Sequence, residues 1–120
     1  MLPNGEMKVF SRNLLNTTEK FPEPEVPIYV KESCKETSIS SYVLDTEVVA
    51  FNCETGQFVP FQVLSMRKRS KESAEAAKVQ VIVQTFDLMY LNDKSLLDRM
   101  LAERRDLMKE HFLPIDGKFQ

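Results

Sequence analysis

The clearest pattern along the chain is the alternation of apolar and polar residues in two long segments. Residues 41–51, SYVLDTEVVAF, and residues 79–93, VQVIVQTFDLMYLND, each read as a strand whose side chains point to opposite faces in turn. The second segment ends at an Asn92-Asp93 pair, which is typical of a turn. Residues 58–66, FVPFQVLSM, follow the first strand after the loop NCETGQ and predict its hairpin partner. These segments predict a sheet rich in antiparallel strands.

A helical pattern replaces this alternation near the end of the chain. Residues 95–112, SLLDRMLAERRDLMKEHF, predict an amphipathic helix that Pro114 ends. The residues at helical spacing on one face are Leu97, Met100, Leu101, Arg104, Leu107, Met108 and Phe112. A short helix over residues 26–32 and a further strand near Gly117 complete the predicted elements. Strands followed by a late helix indicate an α+β fold, with an antiparallel-rich mixed sheet and a flanking helix.

The first residues raise a separate question about strand pairing. Asn4-Gly5 is typical of a two-residue hairpin turn with both residues at positive φ, and residues 7–10 after it predict a strand. Only three residues precede the turn, which is too few for the other arm of a hairpin. We therefore expect the strand at residues 7–10 to expose an unpaired edge, which favours poor stability or aggregation.

Composition limits the class of protein. The chain of 120 residues has the length of a single domain, and its formal net charge of −2 argues against an overall basic nucleic-acid binder. Cys34 and Cys53 lie far apart without metal-site spacing, so we expect reduced thiols in an intracellular protein. The sequence has neither a signal-peptide pattern nor an apolar run of membrane-spanning length, so we expect no membrane partner.

Three residues in the two long strands are candidates for ligand contacts. Asp45 and Glu47 are two positions apart on one strand face, which suits recognition of sugar hydroxyls or help in holding a divalent cation. The alternative is an edge strand with a solvated face, although apolar neighbours on that face predict partial burial. Phe86 aligns with Ile82 and Leu88, which favours a core residue over an aromatic platform that stacks on a base.

Loop residues supply candidate phosphate contacts. Arg67, Lys68 and Arg69 follow a predicted strand end, where cations suit a nucleic-acid backbone, but a solvated basic loop explains them equally well. Ser11 and Arg12 end the first predicted strand and offer a hydroxyl and a planar donor fork to a phosphate. The residues by themselves therefore indicate a nucleotide or nucleic-acid phosphate site and name no reaction.

Five segments carry a family resemblance in their order along the chain: MKVFSRN, SYVLDTEVVAF, PFQVLSMRKR, VQVIVQTFDLMYLND and SLLDRMLAERRDLMKEHF. Together they resemble the adenylation (nucleotidyltransferase) domain of eukaryotic ATP-dependent DNA ligases, of the replicative DNA ligase I type. The phrases LDTE, PFQVL with RKR, and FDLMYLN set the chain apart from mRNA capping enzymes and RNA ligases of the same superfamily. The resemblance implies that residues 1–120 are part of an ATP-grasp-like adenylation domain.

The resemblance also implies a reaction and its partners. In this family a lysine attacks the α-phosphorus of ATP, AMP passes to the 5′-phosphate of a nick, and the 3′-hydroxyl then seals the nick. The implied cofactors are ATP and Mg²⁺, and the implied partner is nicked duplex DNA, together with the remaining ligase domains. The implied location is the nucleus.

The resemblance further implies roles for single residues. Those expected to bind the nucleotide are Arg12 at the AMP or the nick phosphate, Glu47 at the ribose and Phe86 at the adenine. Glu47 is also expected to influence the metal indirectly. Those expected to contact DNA are Ser11, Phe61, Arg67, Lys68 and Arg69, with the Phe61 ring pressing on the minor groove beside the nick.

The nucleophile of the family has no counterpart in the 120 residues. The Lys-x-Asp-Gly signature is absent, as are E-G-x-x-x-K and K-x-K, and residues 116–118 read DGK in the wrong order, so Lys118 is not a nucleophile. We therefore expect an internal piece of a ligase that is inactive as an isolated chain. The alternatives are a non-catalytic, ligase-derived module that binds DNA or protein, and a half-domain of a capping-type guanylyltransferase.

Overall fold

The computed structural model describes residues 1–19, 25–60, 62 and 78–120. Among these residues lie two helices and four strands, in the order α1 (Glu25–Ser33), β1 (Tyr42–Asn52), β2 (Gln57–Val59), β3 (Val79–Leu91), β4 (Lys94–Ser95) and α2 (Leu101–His111). The strands form one antiparallel sheet in the order β2-β1-β3-β4. The predicted α+β fold is confirmed, as are the short first helix and the two long strands.

The long antiparallel pairing of β1 with β3 is the framework of the sheet. It covers the whole of both strands, with 11 residues of β1 against 13 residues of β3. The two extra residues, Phe86 and Met89, have no opposite residue on β1, so each marks a β-bulge. Because each bulge adds one residue to β3, it reverses the alternation of faces along that strand.

The core lies between one face of this sheet and the two helices. Val81, Val83 and Leu88 of β3 are at most 2% exposed and form its centre. The other buried members of the cluster are Val26, Val30, Ile39, Tyr42, Ala50, Val79, Leu96, Met108, Phe112 and Phe119. The Tyr42 and Phe112 rings meet edge to face with centroids 4.9 Å apart, which ties the start of β1 to the end of α2.

The predicted Asn92-Asp93 turn is confirmed and joins β3 to β4. Both residues have positive φ, 45° and 64°, as a two-residue turn of type I′ requires. The Asn92 side chain also accepts a hydrogen bond from the Ser40 N–H at 2.8 Å and donates one to the Ser38 carbonyl at 3.2 Å. The turn therefore also holds the loop that leads into β1.

The helix predicted over residues 95–112 is wrong in its first third. Ser95, the first residue of the predicted helix, belongs to β4, and Leu96 after it is buried. The helix α2 begins only at Leu101. Pairing with β3 therefore overrides the helical spacing, and it leaves Leu97 and Met100 65% and 76% exposed. The C-terminal half of the predicted face does pack on the core. Neither helix in the described part of the chain has the length and apolar character needed to cross a bilayer.

The predicted turn at Asn4-Gly5 is present, but it has a different geometry. The Gly5 N–H donates to the Leu2 carbonyl and the Leu2 N–H donates to the Glu6 carbonyl, both at 2.9 Å. Of the turn residues, only Gly5 has positive φ, 82°. The connection is therefore a three-residue turn with glycine at the left-handed position, and not the predicted two-residue turn.

The segment at residues 7–10 pairs with residues downstream of it. The Val9 carbonyl accepts the Thr17 N–H at 2.9 Å, and Phe10 forms an antiparallel bridge with Asn16. The segment forms only this bridge and no longer strand. A narrow hairpin therefore pairs part of one edge of this segment, while the unpaired edge expected on the side of residues 1–3 stays a prediction.

Near Gly117, where a strand is predicted, the chain forms an isolated parallel bridge with β3 and no strand. The Val83 N–H donates to the Lys118 carbonyl at 2.8 Å, and the Gln120 N–H donates to the Val83 carbonyl at 2.9 Å. Because both backbone groups of Val83 point to this segment, it lies on the edge of β3 away from β1. The parallel contact makes the otherwise antiparallel sheet mixed, as predicted.

Of the return strand predicted over residues 58–66, residues 61 and 63–66 lie outside the described residues, and β2 contains residues 58 and 59. β2 pairs only with residues 50–52 of β1, where the rings of Phe51 and Phe58 lie 5.7 Å apart. Gln62 is helical, so the predicted strand is interrupted before that residue.

Candidate functional site

Asp45 and Glu47 lie in the middle of β1, and both are exposed. Glu47 is opposite Gln84 of β3, and Asp45 is opposite Asp87. β2 reaches only residues 50–52, so no described strand pairs with the other edge of β1 beside Glu47. The partial burial predicted for this face is therefore wrong at the two carboxylates, whose oxygens are open to a ligand.

Phe86 lies on the neighbouring strand at the first of the two β-bulges. Thr85 and Asp87 are opposite consecutive residues of β1, so Phe86 stands between them without an opposite residue. Because Glu47 is opposite Gln84, Phe86 is only two residues along β3 from the partner of Glu47. The strand register therefore brings an exposed carboxylate and an aromatic ring to adjacent strands at the same level of the sheet.

The prediction that Phe86 is a core residue is wrong. It depended on strict alternation, which placed Phe86 on one face with Ile82 and Leu88. The bulge breaks that alternation, because Leu88 belongs to the core cluster whereas Ile82, although only 2% exposed, is opposite Val49 and lies outside that cluster. Phe86 is 44% exposed, so part of its ring is accessible from solvent.

An ion pair joins β3 to α2 next to Phe86. Nε and Nη2 of Arg104 donate to the two carboxylate oxygens of Asp87 at 2.9 and 2.8 Å, and each side chain is 16% exposed. The hydrogen bonds from Arg104 are the main cause that lowers the pKa of Asp87 below its ordinary value. The same bonds raise the pKa of Arg104. Asp87 is therefore ionised at neutral pH and is already engaged by Arg104.

Ser11 and Arg12 lie in the turn of the N-terminal hairpin. The Ser11 carbonyl accepts the Leu14 N–H at 2.9 Å, and its Oγ accepts the Leu15 N–H at 3.3 Å. Arg12 is exposed and forms no ion pair with another described residue. Among the described residues, no hydrogen bond links this turn to β1 or β3. A shared site of Arg12 with the two strands therefore stays a prediction.

The other residues predicted to contact DNA lie outside the described residues. They are Phe61, Arg67, Lys68 and Arg69. Their roles stay predictions, and the same applies to the role of Ser11.

No group of three or more His, Cys, Asp or Glu side chains in the described ranges is placed to hold a metal ion. Cys34 and Cys53 are both free, as expected. Mg²⁺ is commonly bound by one or two carboxylates together with substrate phosphates, and Glu47 fits such a partial role.

The residue pattern alone does not predict the ion pair of Arg104 with Asp87. Arg104 was the only charged residue among those at helical spacing on the predicted apolar face. A cation on a packed face needs a carboxylate partner, and this requirement was the available signal. Gln84, opposite Glu47, carries no comparable signal in the sequence, because strand register alone places it there.

Comparison with known proteins supports the resemblance. Residues 2–120 match the family described as ATP dependent DNA ligase domain. DNA ligase 1 of Drosophila melanogaster is 42% identical over 116 residues, which cover 97% of this chain and 15% of that protein. DNA ligase 1 of Dictyostelium discoideum is 40% identical over 120 residues, which cover 98% of this chain and 10% of that protein. DNA ligase 2 of Korarchaeum cryptofilum is 41% identical over 108 residues, which cover 89% of this chain and 17% of that protein.

The α+β sheet and the family match together define an adenylation domain of the nucleotidyltransferase class. The chain belongs to the ATP-dependent DNA ligase family. It spans between 10% and 17% of the length of the three relatives named above.

Proposed function

We propose that residues 1–120 are part of the adenylation domain of an ATP-dependent DNA ligase that seals nicks in duplex DNA. In that reaction an enzyme lysine takes AMP from ATP, the nick 5′-phosphate receives the AMP, and the 3′-hydroxyl displaces it. A nuclear protein of DNA replication and repair is the corresponding proposal for the cell. The family membership and the similarity to eukaryotic ligases support this assignment.

We further propose that this chain binds the adenosine of ATP at β1 and β3. The strand register supports this site most strongly. It places Glu47 opposite Gln84, and Gln84 is two residues before Phe86 on β3. A carboxylate accepts hydrogen bonds from both ribose hydroxyls, and the accessible ring of Phe86 offers a stacking face to adenine. Mg²⁺, when bound, would neutralise charge on the phosphates, and Glu47 fits as an indirect ligand through water.

The remaining proposed roles concern phosphate and DNA. Arg12 has a donor fork that suits the AMP phosphate or the nick phosphate, with Ser11 beside it. Preference for nicked over intact duplex is expected to depend on Phe61, as an apolar wedge, and on Arg67 at the backbone, with Lys68 and Arg69 next to it. Because the 120 residues contain no Lys-x-Asp-Gly, they supply binding surfaces and no nucleophile.

The substitution Phe86→Leu tests the adenine site. Leucine keeps an apolar side chain but removes the aromatic face, so we expect ATP affinity to fall by about 5- to 150-fold, since base stacking contributes about 1–3 kcal/mol. Equilibrium dialysis of the 120-residue chain with labelled ATP measures this change.

Phe58→Leu is the matched control for that experiment. Phe58 is 58% exposed on β2, so the same change is made at an accessible ring on another strand. We expect ATP affinity to be unchanged in this variant. An equal loss of ATP affinity in the two variants, or an unchanged ATP affinity in Phe86→Leu, would contradict the proposed site.

A further inference from the structure

A cation and a carboxylate that the proposed ATP site does not use lie directly beside Phe86. Arg104 of α2 donates to both carboxylate oxygens of Asp87, and its Nη1 also donates to the Arg99 carbonyl at 2.8 Å. The guanidinium is thereby held at three points, and the carboxylate is held at both oxygens. Since both side chains are mostly buried, solvent and salt screen this ion pair less than a surface pair.

The contact with Arg104 acts on a strand segment whose backbone is otherwise held at its two ends, where the Thr85 N–H donates to the Gln120 carbonyl and the Met89 carbonyl accepts the Leu96 N–H, both at 2.8 Å. β-bulges at Phe86 and Met89 lie on either side, so only two residues between them are paired with β1. The residue opposite Asp87 is Asp45, and like charges at opposite positions destabilise a strand pair. Without the cation of Arg104, the two carboxylates would repel each other, and the bulge would lose its only side-chain ion pair among the described residues.

We propose that Arg104 is a positioning residue for adenine binding, which acts through Asp87 on the bulge that presents the Phe86 ring. The inference rests on the proposed function, since it requires Phe86 to stack on the base. Arg104 does not need to touch the nucleotide. Through Arg104, helix α2 therefore contributes to the affinity for the adenine base of ATP. It does not contribute to the affinity for the phosphates.

A double-mutant cycle separates positioning from a general loss of stability. ATP and inorganic tripolyphosphate are titrated against the 120-residue chain, Arg104→Gln, Phe86→Leu and the double variant. We expect Arg104→Gln to weaken ATP binding by about 3- to 20-fold, a coupling of ordinary size for residues in one network, without weakening tripolyphosphate binding. The double variant should bind ATP as weakly as Phe86→Leu alone, because Arg104 then has no ring to position.

Two further variants control this cycle. Arg105→Gln removes the neighbouring exposed cation on the same helix, and we expect it to leave ATP affinity unchanged. Arg104→Lys keeps the charge but loses the bidentate fork. Its ATP affinity should therefore lie between that of the unsubstituted chain and that of Arg104→Gln. If Arg104→Gln does not fold, as judged by circular dichroism, Arg104→Lys takes its place in the cycle.

The outcomes distinguish the inference from the proposed function. Additive losses in the double variant, an unchanged ATP affinity in Arg104→Gln, or equal losses with Arg105→Gln would overturn the positioning role while the Phe86 site stands. No loss of ATP affinity with Phe86→Leu itself would overturn the adenine site, and the positioning role with it.

Discussion

Asp87 forms the ion pair that joins β3 to α2, and it directly follows Phe86 of the proposed site. Hydrogen bonds from Arg104 lower the pKa of its carboxyl below the ordinary value of 3.8, while burial acts in the opposite direction. A lowered pKa in the folded state means that the ionised form contributes stability. That contribution is fully present above the unfolded pKa of 3.8 and is lost as the pH falls through the folded value.

Replacing Asp87 with Asn removes the charge with little change in shape. We expect a lower Tm at neutral pH, because Arg104 remains mostly buried without its carboxylate. Thermal melts followed by circular dichroism measure the Tm of this variant and of the unsubstituted chain. The difference between the two Tm values should narrow below pH 3.8, where Asp87 itself takes up a proton. Asp98→Asn, at an exposed carboxylate before α2, is the control. A difference that stays constant through this acid range would contradict the account.

At the same scale, alternation predicted the strands well and the environment of Phe86 poorly. A β-bulge adds one residue without a mark in the sequence, since neither Phe86 nor Met89 has a special backbone requirement. Every face assigned across a bulge by counting residues is then reversed. The residue pattern makes Glu47 and Phe86 candidates for ligand contacts, the family resemblance supplies their expected roles, and strand register brings them to adjacent strands.

At the scale of elements, α2 shows which part of a helix a local pattern can predict. Its end was anticipated by the apolar spacing and by Pro114. Its start was not, because β4 pairs with β3 and includes Ser95, the first residue of the predicted helix. Such a tertiary contact overrides local propensity, and no pattern within the helix segment encodes it. The helix therefore begins at Leu101, after a residue with a poor capping side chain.

That poor cap gives a prediction for the stability of α2. Met100 is the N-cap, its side chain caps no backbone N–H, and it is 76% exposed. Met100→Asp supplies an acceptor and a negative charge at the helix N-terminus, so we expect it to raise the free energy of unfolding by about 0.5–2 kcal/mol. Chemical denaturation measures the gain. Leu97→Asp, the same kind of change at a 65% exposed position outside the helix, should not raise it, and an equal gain there would refute the capping explanation.

At the scale of the whole molecule, the described residues form a sheet, its core and one candidate surface, while the reaction of the family also requires a nucleophilic lysine. The 120 residues contain no Lys-x-Asp-Gly. We therefore expect no lysine–AMP adduct when the purified chain is incubated with α-labelled ATP and Mg²⁺. A longer ligase chain that contains the signature is the positive control. A labelled adduct on the 120-residue chain that survives denaturation at neutral or alkaline pH, where a lysine phosphoramidate is stable, would show that a residue of this chain serves as nucleophile.

The most direct test of the account is to map ATP binding onto the chain, residue by residue. In ¹H–¹⁵N correlation spectra recorded during an ATP titration, we expect the largest shifts at Thr46 and Glu47 of β1 and at residues 84–87 of β3. Inorganic tripolyphosphate should not reproduce them, because it has neither ribose nor base. Shifts confined to other parts of the chain, or the same shifts with tripolyphosphate, would contradict an adenosine site on β1 and β3.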